Sequence, residues 1–372
     1  MKPPRPALAR RGVLASLAAT ALTACGRPSQ SQTPRAFDGP VDAPIDAAPL
    51  KSIAHFPVGC AVSSGNLPDP AFAALLTRNF SQITPEWEMK MEYILKDDGT
   101  FRFDAPDAIA AFARDHGLRL FCHTLVWYAE NAAAFTRIDG QGKVFADAYR
   151  SYILTVAGRY KDQAVAWDVV NEAVNEDGEG LRDCLWSRNL GGQIDYMRRA
   201  YDIAHEADPN ALLLINDYYL ERLPKKRATY LRMVETLLKA GAPLGGLGNQ
   251  SHLFADLAPG AITAAIADLA SMGLPIHVSE LDISLNWAKA LFVSRDDLVQ
   301  RQARLAGEIG EAFAKLKPAQ RFAFTTWGLR DKDSWLRSPK ENPTPPWDAP
   351  LLFDDDGRPK PMLVALERGL TR

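Results

Sequence analysis

From residue 50 onward, short apolar runs alternate with longer stretches in which apolar residues recur at helical spacing. Eight short runs read as strands: 53–62, 80–86, 118–126, 165–172, 212–218, 246–251, 276–282 and 322–327. Brief, nearly continuous apolar runs are what strands covered on both faces display. Between them a 3.6-residue period predicts helices around 70–78, 105–116, 145–160, 192–207, 225–240, 260–272 and 294–316, with a last one at 360–369. Regular alternation of this kind predicts βαβ units and a parallel sheet. Eight repeats predict an α/β fold, a single (β/α)8 TIM barrel, in preference to an open doubly wound sheet. No Gly-x-Gly-x-x-Gly follows the first strand and no phosphate loop is present, so nucleotide-binding folds lose their main support.

The first residues follow another logic. Lys2, Arg5, Arg10 and Arg11 precede an apolar run at 12–24, which is too short to span a bilayer and of the right length for a signal peptide. The run ends in Leu22-Thr23-Ala24-Cys25-Gly26, which resembles the lipobox of bacterial lipoproteins. That resemblance implies lipidation of Cys25 and a mature chain that begins there. A plain cleaved signal is the alternative, and Arg10-Arg11 leaves a twin-arginine export route open. Residues 26–48, rich in Pro, Ser, Gln, Asp and Ala, read as a flexible linker. The expected organisation is therefore a signal peptide at 1–25, a linker at 26–48 and one barrel domain at 49–372. The expected location is the cell envelope, on the periplasmic or outer-membrane face, or outside the cell if the lipobox is not used. The membrane would be touched only through the lipid.

Composition narrows the partners. A chain of 372 residues with 47% hydrophobic residues, 24% charged residues and a net charge of -2 carries no electrostatic footprint for nucleic acid. A neutral polymer would need no charge field. Cys60, Cys122 and Cys184 are odd in number and lack both metal-ligand spacing and a disulfide framework. Cys60 and Cys122 lie inside strand runs, which favours buried thiols over a single disulfide. Nothing calls for a cofactor or metal, and the chain is expected to be a monomer.

The strand ends hold the chemistry, because barrel enzymes gather their functional residues at the C-terminal face. Those ends carry Glu86 and Lys90; His123 and Trp127; Asn171 and Glu172; Asn216, Asp217 and Tyr218; Gln250 and His252; Glu280 and Asp282; and Trp327. Two glutamates, Glu172 and Glu280, directly terminate apolar strands, the fourth and the seventh. With those strands read as lying opposite one another, the pair would flank one bond from both sides. Acetal cleavage needs that arrangement: one group protonates the leaving oxygen while the other attacks or stabilises the anomeric carbon.

At this point the strings Thr84–Lys90 (TPEWEMK), His123–Trp127 (HTLVW), Trp167–Ala173 (WDVVNEA), Gln250–Leu253 (QSHL) and Ser279–Ile283 (SELDI) resemble glycoside hydrolase family 10, the endo-1,4-β-xylanases. The resemblance runs from about Gly59 to Trp335, with its motifs in family order. It implies a retaining mechanism on a xylan-like polysaccharide or oligosaccharide, with Glu172 as acid/base and Glu280 as nucleophile. It further implies that Asn171 contacts the sugar 2-hydroxyl, that His252 bonds Glu280, and that Asp282 orients His252. Gln250 would support the pair. Glu86, Lys90, His123, Trp127, Tyr218, Trp327 and Trp335 would bind substrate, the tryptophans as walls on which apolar sugar faces stack. The charge of Glu280 would raise the pKa of Glu172.

The chain departs from that pattern in places. Trp87 stands where the family has Asn, Tyr128 where it often has His, Glu130 where it has Gln, and Tyr219 where it has Asn; the Pro and Trp after Glu130 are absent. These changes put the preferred backbone, side branch and cleavage mode in doubt. Action on short or decorated xylo-oligosaccharides or another β-glycan is a second reading, and a non-catalytic glycan-binding surface lipoprotein a third. Retention of both glutamates argues against the third. An aldolase or isomerase is weaker still, since no Schiff-base lysine or phosphate site stands at the strand ends.

Overall fold

In a computed structural model of the chain, the described residues are 47–286, 292–338 and 348–372. Cys25, the signal peptide and residues 26–46 of the linker lie outside them. The strands are β1 (Val58–Val62), β2 (Gln82–Pro85), β3 (Arg119–Trp127), β4 (Ala164–Asn171), β5 (Leu212–Asp217), β6 (Gly246–Asn249), β7 (His252–Phe254), β8 (Ile276–Ser284) and β9 (Arg321–Thr326). All pair in parallel, in the order β6-β5-β4-β3-β2-β1-β9-β8, and β6 closes on β8. The expected eight-stranded barrel is present. β7 is an extra short strand that pairs with β8 beyond the point where β6 stops.

The helices fall where the periodicity placed them, for reasons visible at their ends. Asp69 caps Pro70–Asn79 by accepting from Ala71 N at 2.9 Å, with proline at the first helical position. Ser294 caps Arg295–Ala314, and Asp296 and Asp297 stand in its first turn. In Asp104–Asp115 the buried residues are Pro106, Ile109, Ala110 and Ala113, one stripe facing the sheet. Among the described residues no helix is long and apolar enough to cross a membrane.

Two strand boundaries differ from expectation. The run 53–62 becomes a strand only at Val58, and Leu50–Ile53 is a helical turn. Pro57 has no N–H to give the ladder, so pairing begins after it. The run 246–251 breaks after Asn249. Ser251 takes a left-handed φ of 59°, and its hydroxyl and the Asn249 amide both donate to Glu221 Oε1, at 2.7 and 2.8 Å. The break turns Gln250 and His252 toward the mouth of the barrel. Cys60, Cys122 and Cys184 are all buried free thiols.

β5 and β6 approach closely where Gly248 faces Asn216. A Cβ on Gly248 would stand 2.4 Å from Asn216 Oδ1, and Asn216 is fully buried. Gly248→Ala should therefore cost about 1–3 kcal/mol through overpacking. Thermal unfolding should show a Tm lower by several degrees; an unchanged Tm would mean that this contact is slack.

Candidate active site

Glu172 directly follows β4 and Glu280 lies in β8. The strand order corrects the expectation that these strands face each other across the barrel. Only β5 and β6 separate them on the short side. This nearness lets side chains from the two intervening strands bridge the carboxyl groups.

The bridge is made of amides. Asn216, from β5, donates to Glu280 Oε1 at 2.6 Å and to Asn171 Oδ1 at 3.1 Å. Gln250, just after β6, donates to Glu172 Oε1 at 3.0 Å and to the same Asn171 oxygen at 3.2 Å. Asn171 Nδ2 donates in turn to Glu172 Oε1 at 3.2 Å. Ser279 donates to Asn216 Oδ1 at 2.8 Å, which fixes the direction of that amide. The main chain repeats the link: Glu172 N donates to Asn216 O, and Glu280 N to Gln250 O. Asn171, Asn216 and Gln250 are all buried, so their polar atoms need these partners.

Glu280 is only 4% exposed, yet it is held ionised. Burial works to raise its pKa. The attraction of His123, the hydrogen bond and charge of His252, and the charge of Lys90 overcome this and bring it down to about 2. His252 Nε2 donates to Glu280 Oε2 at 3.2 Å, and its Nδ1 donates to Asp282 Oδ2 at 2.9 Å. Burial opposes charge on His252 too, but Asp282 and Glu280 push its pKa up to about 10, so it stands as an imidazolium at neutral pH. Trp335 Nε1 donates to Asp282 Oδ2 at 2.9 Å, and its ring lies 5.3 Å from that of His252.

Glu172 is shifted the other way. Burial is the main cause of its raised pKa. The hydrogen bonds from Gln250 and Trp127 oppose it, while the charges of Asp217 and, last, Glu280 support it. The charge of Glu280 acts in the expected direction, but burial and Asp217 weigh more. Trp127 Nε1 donates to Glu172 Oε2 at 2.9 Å. The backbone of Glu172 has a φ of 58°, a left-handed conformation that costs a non-glycine residue about 1–2 kcal/mol. Arg182 braces it, donating from Nε to Glu172 O at 3.0 Å.

One flank of the cleft is built around Lys90. Its ammonium lies 5.8 Å from the Trp87 ring, 5.0 Å from Trp127 and 5.8 Å from Trp327. Burial pushes Glu86 and Glu130 each up to about 7, and Lys90 pulls both back toward ionisation. Trp87 is 43% exposed, while Trp327 is buried against His123 and His252. His123 is also buried, its Nδ1 held by Asp168 Oδ2 at 2.8 Å. On the other flank Arg182 stacks 3.9 Å over Tyr128 and donates to Tyr218 Oη at 2.7 Å; Tyr218 donates on to Glu176 at 3.0 Å.

Hydrogen bonds, ring contacts or close charges link the predicted residues Glu86, Lys90, His123, Trp127, Asn171, Tyr218, Gln250, His252, Asp282, Trp327 and Trp335 to the surroundings of Glu172 and Glu280. Arg182 and Lys226 were not singled out from the sequence. Arg182 lies in a loop without strand signature, and Lys226 sits in an ordinary helical pattern. Among the described residues no cluster of His, Cys, Asp and Glu could hold a metal ion.

Comparison with known proteins identifies the family. The profile of Glycosyl hydrolase family 10 matches residues 50–368. An endo-1,4-β-xylanase of Geobacillus stearothermophilus is 36% identical over 318 residues, covering 82% of this chain and 93% of that protein. A thermostable mutant of a xylanase from Cellvibrio japonicus superposes with a TM-score of 0.78 at 31% identity, covering 87% of this chain and 99% of the other. An intracellular xylanase from Thermoanaerobacterium saccharolyticum, solved with xylotetraose, gives 0.76 at 32% identity, covering 86% and 98%. The chain belongs to glycosyl hydrolase family 10 and is a glycoside hydrolase.

Proposed function

We propose that this enzyme is a retaining endo-β-1,4-xylanase with Glu280 as nucleophile and Glu172 as acid/base. One observation carries the reading: two carboxyl groups joined by a single amide bridge are displaced in opposite directions, Glu280 down to about 2 and Glu172 upward. A nucleophile must be ionised and a general acid must hold its proton, and this environment separates the two roles.

In the first step Glu280 attacks the anomeric carbon. The glycosidic C–O bond breaks, and the Glu172 proton passes to the leaving oxygen. Formation of the ester removes the Glu280 charge, which lowers the pKa of Glu172 and suits it to act as base. In the second step it takes a proton from water, the water oxygen attacks the same carbon, and Glu280 leaves. Two inversions give net retention. Asn171 Oδ1 is already filled by Asn216 and Gln250, and one Nδ2 proton goes to Glu172, so toward a sugar hydroxyl this side chain acts through its other Nδ2 proton. Trp127, bonded to Glu172, and Trp335, packed against His252, are the rings on which a sugar face would stack.

Xylan as substrate rests on the relatives, which are endo-1,4-β-xylanases, and on the absence of any strong charge field. The exposed indole of Trp87 beside Lys90 favours a second reading, in which the same chemistry serves short or decorated xylo-oligosaccharides. There, a bulky ring replaces a hydrogen-bonding amide at the cleft edge. We also propose that Cys25 is lipidated and tethers the enzyme to the cell envelope, on the strength of the Leu22–Gly26 string.

Glu280→Ala should lower hydrolysis of an aryl β-xyloside by about four orders of magnitude or more without loss of folding; a variant that turns over normally rules the nucleophile out. The product profile on xylan, xylo-oligosaccharides and cellulose separates the two substrate readings: mixed internal fragments from xylan mark endo action. For pH, activity needs Glu280 ionised and Glu172 protonated, so the acidic limb belongs to Glu280. His252→Ala removes a donor that favours the ionised form, so that limb should move upward by about one pH unit or more, read from kcat/KM against pH. Cys25→Ser should release the enzyme from the membrane fraction; retention there would point to another anchor.

A further inference from the structure

Directly behind Glu172 lies an ion pair. Asp217 Oδ1 is 2.8 Å from Lys226 Nζ, and both side chains are fully buried. Lysine is almost never buried completely without a partner, and a buried pair is weak evidence for stability, because desolvation offsets the attraction. Local helix physics gives no reason for this cation either. Lys226 stands in the first turn of Pro224–Lys239, where the helix dipole disfavours positive charge. Its ammonium instead faces Asp217 and lies 3.2 Å from the centre of the Tyr218 ring.

Asp217 is tied to the turn that carries Glu172. Its Oδ2 accepts from Val174 N at 3.1 Å, two residues beyond Glu172, and its Oδ1 accepts from Tyr218 N at 2.9 Å. The loop after Glu172 also rests on the helix that supplies Lys226. Thr229 donates to Gly178 O at 2.8 Å, and a Cβ on Gly178 would stand 2.6 Å from Lys226 N. Gly178 has a φ of 76°, so this close approach depends on glycine.

We propose that the buried Asp217–Lys226 pair is the positioning element of the general acid: it fixes the left-handed turn at Glu172 and presents a permanent negative charge to that carboxyl. The proposal rests on Glu172 being the acid/base. The Lys226 ammonium stands 2.8 Å from the Asp217 carboxyl and balances its charge inside the fold. The charge of Asp217 weighs more on Glu172 than that of Glu280 does, and both favour its protonated form. It also differs in kind. The Glu280 charge vanishes when the glycosyl-enzyme forms, whereas that of Asp217 persists through both steps. Asp217 then sets the baseline, and Glu280 supplies the swing. The other charged or titratable groups facing Glu172 are Arg182, whose Nε holds its carbonyl, and Tyr128 and Tyr218, with Glu176 beyond them. None of these carries a negative charge as close to the turn.

The test compares pH profiles of kcat/KM for phenyl and 2,4-dinitrophenyl β-xylobiosides. Asp217→Asn keeps an acceptor for Val174 but strands the lysine charge. The double variant Asp217→Asn, Lys226→Met removes both charges and guards against simple unfolding. In the folded double variant the alkaline limb with the phenyl substrate should move down by about half to one pH unit. At neutral pH the loss should be larger with phenyl than with dinitrophenyl, whose departure needs no proton. An unmoved limb with equal losses on both substrates overturns the proposal. Glu172→Ala serves as the control. If its loss is independent of the leaving group and azide gives no rescue, the acid/base reading itself falls, and the proposal with it.

Discussion

Two carboxyl groups in one largely buried site drift toward sharing protonation unless something holds them apart, and in this enzyme the holding element is the amide bridge Asn171–Asn216–Gln250. It gives Glu280 a donor at 2.6 Å and Glu172 a donor at 3.0 Å, and it ties both donors to one oxygen. Carboxylates cannot donate to one another, and hydroxyls would leave the direction of donation free to rotate. Amides have a fixed donor and a fixed acceptor end. Ser279 adds the last constraint by donating to Asn216 Oδ1. A preorganised array of this kind holds both carboxyl groups without rearrangement.

The bridge explains much of the barrel's irregularity. It needs a side chain from each strand between β4 and β8, and it needs Gln250 directed inward at a point where a regular strand would alternate its side chains between faces. The break after Asn249 supplies that, and β7 then restores pairing so that His252 sits opposite Asp282. Left-handed residues at Glu172, Tyr219 and Ser251 mark the ends of three successive strands. Such conformations persist only where surrounding contacts over-determine them, and strained backbone at active sites has this origin. Gly248 lets β6 come close enough for Asn216 to reach both neighbours.

Much of this was legible in the sequence. Buried parallel strands leave short apolar runs, and residues such as Asn171-Glu172 or Glu280 stand out because a polar group at the end of an apolar run has few other reasons to be there. The arrangement of the strands around the barrel was less legible. Reading β4 and β8 as opposite was wrong because adjacency comes from sheet closure, which leaves no mark on any single segment. The same holds for Lys226, which reaches Asp217 across a loop and a helix turn. Its burial depends on glycine at 178 and on the packing of elements distant in sequence. Arg182 was missed for a related reason: it holds Glu172 through a backbone carbonyl, which every residue has, and its side-chain partners Tyr128 and Tyr218 are distant in sequence.

The departures from the family pattern lie outside the bridge, and their physical placement explains how the chemistry survives them. Trp87, Tyr128 and Glu130 surround the rim, whereas the atoms that set the charges of Glu172 and Glu280 lie below it. Glu130 shows how a charge change is absorbed there. A buried carboxyl in place of an amide is costly when it stands alone, yet Lys90 is close enough to draw it toward ionisation, and the Glu92 amide donates to it at 3.4 Å. Lys90 in turn is enclosed by Trp87, Trp127 and Trp327, rings that favour a cation over their faces. These groups thus lean on Lys90 rather than on the bridge. The bridge cannot be rebuilt residue by residue, since one oxygen, Asn171 Oδ1, is shared by the two amides that hold Glu280 and Glu172.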